Sequence, residues 1–195
     1  MSQKHVFNLP INPRYNIRAI SWSDLIAIES NPQKWLDGVR LKSNVNMHFG
    51  TSVHAEIKHR KLKGIPIGNA PDKSYQAEIS NGKIKFTIIG TPDDTDDDTI
   101  YEYKTSLKLW TKKQAENHGQ LFTYALLKWK NTGKLPKKAL LVSLETKHDE
   151  DSEGLVLTGK TNIHIIPITM LDVLKIQTRF IKAVIHLQKI QSSVD

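Results

Sequence analysis

Gly90-Thr91-Pro92-Asp93, followed by Tyr101-Glu102-Tyr103-Lys104-Thr105, is the stretch whose reading decides the fold. Before it, Ile84, Phe86 and Ile88 alternate with Lys85 and Thr87, the period-two spacing of a strand. Ile89-Gly90-Thr91-Pro92 closes that strand, Asp94 to Asp98 form a turn, and Thr99 to Lys104 return as the next strand. A turn centred between Asp97 and Asp98 sets Asp93 opposite Glu102. Cross-strand neighbours hold their Cβ atoms about 4.5–5.5 Å apart. That gap suits one hard divalent cation, with oxygen ligands at about 2.0–2.1 Å as Mg²⁺ requires. Lys104 lies two residues beyond Glu102 and so shares its face. Tyr103 points the other way and offers its backbone carbonyl as a further oxygen ligand.

Two carboxylates and an ammonium at one spot are what phosphodiester hydrolysis needs. The ion polarises the phosphate, and the lysine orients or deprotonates the attacking water and adds positive charge where the transition state is anionic. The competing reading is a solvated acidic turn beside a surface Glu-x-Lys pair, and Asp96, Asp97 and Asp98 are read that way. The weight of the case rests on residues further out.

Upstream, a first helix starts at Ser21-Trp22-Ser23, with Ser21 or Ser23 as its cap and Asp24 at its positive end. Asn31-Pro32 breaks it, and Pro32 opens a short turn through Trp35 and Leu36. A longer helix covers about Phe49 to Lys63, ended by Gly64 and Pro66. Downstream, one helix runs from about Thr111 to Lys130, then Ala139 to Glu145 and Leu155 to Ile166 read as strands joined by an acidic loop. The stretch from Thr169 to Gln191 is an amphipathic helix with Met170, Val173, Leu174, Ile181, Val184 and Leu187 on one stripe. The pattern predicts one α/β domain over residues 1–195, a central mixed sheet flanked by helices, with a polar arm over 1–18.

Composition agrees with a soluble globular chain: 195 residues, 38% hydrophobic and 25% charged. No apolar run approaches the ~20 residues that cross a bilayer, and no signal peptide precedes residue 18, so the expected location is cytoplasmic, with no membrane partner. The absence of cysteine excludes disulfides, thiolate-bound zinc and iron–sulfur clusters. A net charge of +8 favours polyanions such as DNA.

In the helix from Thr111, the predicted core stripe is Ala115, Phe122, Ala125, Leu126 and Trp129. Gln120 and Tyr124 sit four apart, each about 200° from Phe122, and face away from it together. A glutamine amide bonds a phosphate, and a tyrosine ring stacks on a base or bonds a phosphate. Lys113, Asn117 and Lys128 extend this polar track, whose alternative reading is a plain solvated face. A zinc site of His48, His54 and His59 is excluded, because steps of six and five residues turn about 240° and 140° around a helix.

These motifs resemble the PD-(D/E)XK nuclease superfamily. Gly90-x-x-Asp93 with Glu102-Tyr103-Lys104-Thr105 looks like its active-site signature, and more closely that of the RecB-type branch, near lambda-type exonucleases and CRISPR-associated adaptation nucleases. Three further matches fall in order: Ser21-Trp22-Ser23 with Pro32 and Trp35, then Gly50-Thr51-Ser52-Val53-His54, then Gln120-Leu121-Phe122-Thr123-Tyr124. The resemblance covers roughly positions 20 to 130. It implies a restriction-endonuclease-like core and Mg²⁺ or Mn²⁺ held by His54, Asp93, Glu102 and the Tyr103 carbonyl. It further implies catalysis by Asp93, Glu102 and Lys104, with substrate contacts from Gln120, Tyr124, Thr105 and Ser21. Some relatives carry an iron–sulfur cluster on four cysteines, which this chain lacks.

The leading expectation is an exonuclease trimming DNA ends in recombination, repair or phage DNA metabolism, in the host cytoplasm if phage-encoded. A sequence- or structure-specific endonuclease and a catalytically silent nucleic-acid-binding module are the alternatives. A recombination or helicase partner would supply ends, and the sequence leaves oligomeric state open.

Overall fold

Alternating inward and outward side chains build two mixed sheets, and the chain crosses from one to the other at residues 91–93. The computed structural model describes residues 9, 11, 18–39, 45–59, 62–82, 84–149 and 154–193. In chain order the elements are β1 (Ala19–Ile20), α1 (Trp22–Ser30), α2 (Pro32–Leu36), α3 (Val45–Lys58), β2 (Tyr75–Ser80), β3 (Lys85–Gly90), β4 (Asp94–Thr95), β5 (Thr99–Ser106), α4 (Lys112–Glu116), α5 (Gly119–Thr132), β6 (Lys138–His148), β7 (Leu155–Pro167) and α6 (Met170–Ser192). The smaller sheet has the order β1-β3-β2 and the larger β4-β5-β6-β7. Each contains one parallel pair, β1 with β3 and β5 with β6, beside antiparallel ones. The α/β expectation holds, with the mixed sheet in two pieces. Among the described residues no helix is long and apolar enough to cross a membrane. Of the expected polar arm over 1–18, only Leu9, Ile11 and Arg18 are described, and the acidic loop lies outside the described residues at 150–153.

The larger sheet separates two apolar clusters. Ile100, Ala139, Leu141 and Ile166 face α5 and α6 in the main core, with Trp35, Leu121, Leu126 and Phe180. Tyr101, Tyr103, Leu140 and Val142 face the other way and pack under Val53 and Ile57 of α3. Strand alternation therefore gives β5 two buried faces, which fixes its register against a one-residue slip.

Local sequence explains most helix ends. Ser21 caps α1 in a reciprocal box with Asp24, whose other oxygen accepts from the Trp35 indole (3.0 Å) and ties α1 to α2. Pro32 opens α2 with Asn31 as cap, and Thr169 boxes with Asp172 to start α6. In α6 the buried stripe is Val173, Ile176, Phe180, Ala183, Val184 and Leu187. Met170 and Leu174, expected inside, are exposed, because the buried stripe of α6 is carried by Val173 and Ile176 instead. The last helix returns to the first through a bidentate Arg179–Glu29 fork, with contacts of 3.1 and 2.6 Å.

Two further expectations fail, both on the helix from Thr111. The helix from Thr111 is not continuous: α4 ends at Glu116 with Asn117 as its cap, and α5 starts at Gly119 with His118 as its cap. The second concerns the faces of α5. It lies between α6 on one side and the sheets on the other, so Leu121, Tyr124, Leu127 and Lys128 are buried as well as Ala125 and Leu126, while Phe122 and Trp129 are only partly covered. Tyr124 and Lys128 thus face inward rather than along a solvated track.

Candidate active site

β4 and β5 pair antiparallel with Asp94 against Tyr101 and Thr95 against Ile100. Carried back one residue, this register sets Asp93 opposite Glu102, as the sequence predicts. Asp93 Oδ2 accepts the Tyr103 backbone N–H at 2.8 Å, and its Oδ1 lies 3.1 Å from His54 Nδ1 on α3. Burial raises the Asp93 pKa, but the His54 hydrogen bond and charge, the Tyr103 N–H and Lys104 outweigh it and hold the carboxyl below its ordinary value. Glu102 is only 3% exposed. Burial pushes its pKa from 4.5 to about 7, with Lys104 opposing and Asp93 adding to the rise. The two acids thus sit side by side with displaced affinities for protons, one held ionised and the other poised near neutrality.

Lys104 bridges strand and helix. Its Nζ is 2.5 Å from Glu102 Oε1 and donates to Gln120 Oε1 at 3.0 Å. Gln120 Nε2 in turn donates to the Tyr124 hydroxyl at 2.5 Å. Tyr124 is no free stacking platform: it is 6% exposed and packed in the main core. Gly90 makes this possible, since a Cβ there would stand 2.9 Å from Tyr124 Cε1 and 3.0 Å from Leu127 Cδ1. Tyr103 points away as expected, and its hydroxyl donates to the Pro66 carbonyl at 3.0 Å. In an extended strand the N–H and C=O of one residue point the same way. The Tyr103 carbonyl therefore lies on the edge that Asp93 occupies.

All nine residues singled out from the sequence line one cavity of about 610 Å³. They are Asp93, Glu102, Tyr103 and Lys104 with His54, Gln120, Tyr124, Thr105 and Ser21. Gly50 lets its helix approach β5 closely, since an alanine there would place Cβ 3.2 Å from Thr105 Oγ1. Ser21 reaches the rim, but its hydroxyl is engaged with Asp24 at 2.7 Å. A second hollow of about 590 Å³ shares Thr51, His54, Thr91 and Asp93 with the first.

The acids of the turn are not simply solvated. Asp94 is buried and accepts from the Gly68 and Ala70 backbone N–H groups at 2.8 and 3.0 Å, pinning the loop over 66–70 to β4. Asp96 accepts from Asp98 N, Thr99 N and the Tyr101 hydroxyl, its carbonyl accepts from Lys128, and Asp98 meets Lys134 and Lys137. Among Asp96, Asp97 and Asp98, only Asp97 is exposed. The neighbours drawing them in, Lys128, Lys134 and Lys137, lie over 30 residues away, beyond any local pattern. Sequence reasoning also passes over His118, whose Nε2 is 3.0 Å from Gln120 Oε1.

The donor set fits a hard divalent ion: two carboxylates, an imidazole and a backbone carbonyl. Among the described residues no three His, Asp or Glu side chains form a ready cage. Mg²⁺ is ordinarily held by one or two carboxylates plus substrate phosphate, so a ready cage is not required.

The protein is thus of the class in which a mixed α/β fold sets an Asp–Glu–Lys cluster in a cleft. The chain has the fold of solved exonuclease structures. A phage-related exonuclease from Haemophilus somnus 129PT matches at TM-score 0.59 and 14% identity, over 88% of this chain and 84% of that one. The alkaline exonuclease LHK-Exo from Laribacter hongkongensis matches at TM-score 0.53 and 15% identity, over 90% and 91%. The same enzyme in complex with dAMP matches at TM-score 0.52 and 16% identity, over 90% and 91%. No family model and no curated protein matches the chain.

Proposed function

We propose that this protein is a Mg²⁺- or Mn²⁺-dependent deoxyribonuclease of the RecB-type PD-(D/E)XK branch that hydrolyses DNA from its ends. The observation that carries the reading is the convergence of Asp93, Glu102 and Lys104 on one cleft, with Lys104 gripped between Glu102 and Gln120. The shared fold with structures described as exonucleases supports it, and so does the +8 charge. A cavity of about 610 Å³ has room for a mononucleotide, and dAMP is the ligand named for one of those structures.

Asp93, Glu102, His54 and the Tyr103 carbonyl would hold the ion. Such an ion would supply Lewis-acid polarisation of the phosphoryl group and stabilise the charge developing on it. His54 keeps Asp93 ionised and aimed. Lys104 places an ammonium where the transition state gains negative charge and donates a hydrogen bond that orients the attacking water. Gln120 holds that amine, and the Tyr124 hydroxyl holds Gln120, so Tyr124 acts on the chemistry without stacking on a base. Thr105 and Gln120 offer phosphate contacts, and Ser21 shapes the rim. Such an enzyme serves recombination, repair or phage DNA metabolism.

The deciding experiment follows end-labelled linear single strands beside a closed single-stranded circle, with Mg²⁺, Mn²⁺ or EDTA. Metal-dependent shortening of the linear strand alone is the expected result. Rapid cutting of the circle would make the protein an endonuclease, and no cutting would leave a binding module. Lys104→Ala should lower kcat by about 10²–10³ with DNA affinity little changed, as for loss of one transition-state donor.

A further inference from the structure

The break between α4 and α5 has a chemical result. Residues two apart on a continuous helix point about 200° away from one another. With the helix interrupted at Asn117 and restarted at Gly119, His118 turns its ring toward Gln120 instead. As helix cap it makes no side-chain capping bond, so the imidazole is not engaged in holding α5. Its ring is wedged edge-on against Trp110 and Trp22, with centroids 4.9 and 6.2 Å away.

We propose that His118 is a positioning residue for the Asp93–Glu102–Lys104 centre, its Nε2–H fixing the Gln120 amide so that Oε1 faces Lys104. The donor and acceptor inventory leaves one arrangement. Lys104 Nζ donates to Gln120 Oε1, which makes that atom the carbonyl oxygen. The opposite flip would aim the amide NH₂ at an ammonium. Gln120 Nε2 then donates to the Tyr124 hydroxyl. The remaining contact on Oε1, at 3.0 Å, must come from a protonated His118 Nε2. Burial and the nearby Lys104 lower the His118 pKa from 6.5 to about 4, so the ring is neutral and Nδ1 carries the lone pair. Gln120 is therefore held at three points. A lysine whose anchor cannot rotate keeps its amine in place through the reaction.

The kinetic part of the test rests on the nuclease reading, and the spectroscopic part does not. His118→Phe keeps a ring between the two tryptophans but loses the donor, and His118→Gln restores a donor near the Nε2 position without the ring. Single-turnover cleavage of linear DNA should fall about tenfold in His118→Phe, the effect of one lost hydrogen bond, with KM unchanged. His118→Gln should recover most of that loss. A His118→Phe enzyme with undiminished kcat would overturn the proposal, as would equal losses in both variants. Independently, ¹⁵N-histidine spectra of the metal-free protein should show His118, assigned by its disappearance in His118→Phe, as the Nε2–H tautomer. Its Nε2 resonance should move in Gln120→Leu. An Nδ1–H tautomer, or a resonance indifferent to Gln120→Leu, would sink the proposal even if the protein cut no DNA at all.

Discussion

Glu102→Gln should melt higher than the natural sequence when both are metal-free at pH 8, although it removes a central active-site residue. Burial, opposed by Lys104 and reinforced by Asp93, raises the Glu102 pKa from 4.5 to about 7. Between those values the folded protein keeps a proton that the unfolded chain has released. Stability therefore falls as pH rises through this window, and the loss is complete above pH 7. At about 1.4 kcal/mol for each tenfold change in proton affinity, the difference corresponds to about 3 kcal/mol. For a chain of this length that is roughly 6–12 °C in Tm. It is an upper limit, because glutamine also ends the 2.5 Å ion pair with Lys104. Melting curves in EDTA at pH 8 and pH 5 read the effect directly. The advantage of the variant should appear at pH 8 and shrink toward nothing at pH 5. Added Mg²⁺ should then raise the Tm of the natural protein, by an amount growing as RT ln(1 + [Mg²⁺]/Kd), and leave the variant unmoved. A variant that melts lower at pH 8, or one whose advantage is the same at both pH values, would refute the account of Glu102 as a buried charge.

Tyr124→Phe removes only the hydroxyl that holds Gln120, so kcat should fall while fluorescence-anisotropy titration shows DNA affinity unchanged. Tyr124→Ala empties part of the main core and should cost about 3–5 kcal/mol in denaturant unfolding. Gly90→Ala drives a Cβ against the Tyr124 ring at 2.9 Å and should lower stability by about 1–3 kcal/mol. A Gly90→Ala melting temperature equal to that of the natural protein would show that the ring has room to move.

What was legible in the sequence was whatever depended on local period. The opposition of Asp93 and Glu102 follows from counting across a turn, and Lys104 follows from the two-residue repeat of a strand. β2 is equally legible: Tyr75, Ala77 and Ile79 alternate inward, and Asn81-Gly82 is a hairpin-turn signal, with Gly82 at φ 81°. The continuous helix from Thr111 was the natural expectation, because nothing in Glu116-Asn117-His118-Gly119 forbids helix as a proline would. The break falls where Asn117 caps the end of α4 and His118 precedes Gly119 at the start of α5. Helical-wheel reasoning misplaced Tyr124 because it assigns one buried face, whereas α5 is covered by α6 on one side and by strands on the other. The turn acids escape a local reading for a related reason. Their partners Lys128, Lys134 and Lys137 come from α5 and the approach to β6, which only the three-dimensional path brings near.

The Arg179–Glu29 fork ties residues 150 positions apart. Asp93, Glu102, Lys104, Gln120 and Tyr124, by contrast, fall within 32 consecutive residues, so their meeting closes only short loops of chain. Ser21 and Trp22, which form the rim above them, belong to α1, the helix that the fork fastens to α6. The site therefore draws on two scales of chain: the acidic pair and its lysine meet through short local loops, whereas the wall beside them is fastened by a contact 150 positions long.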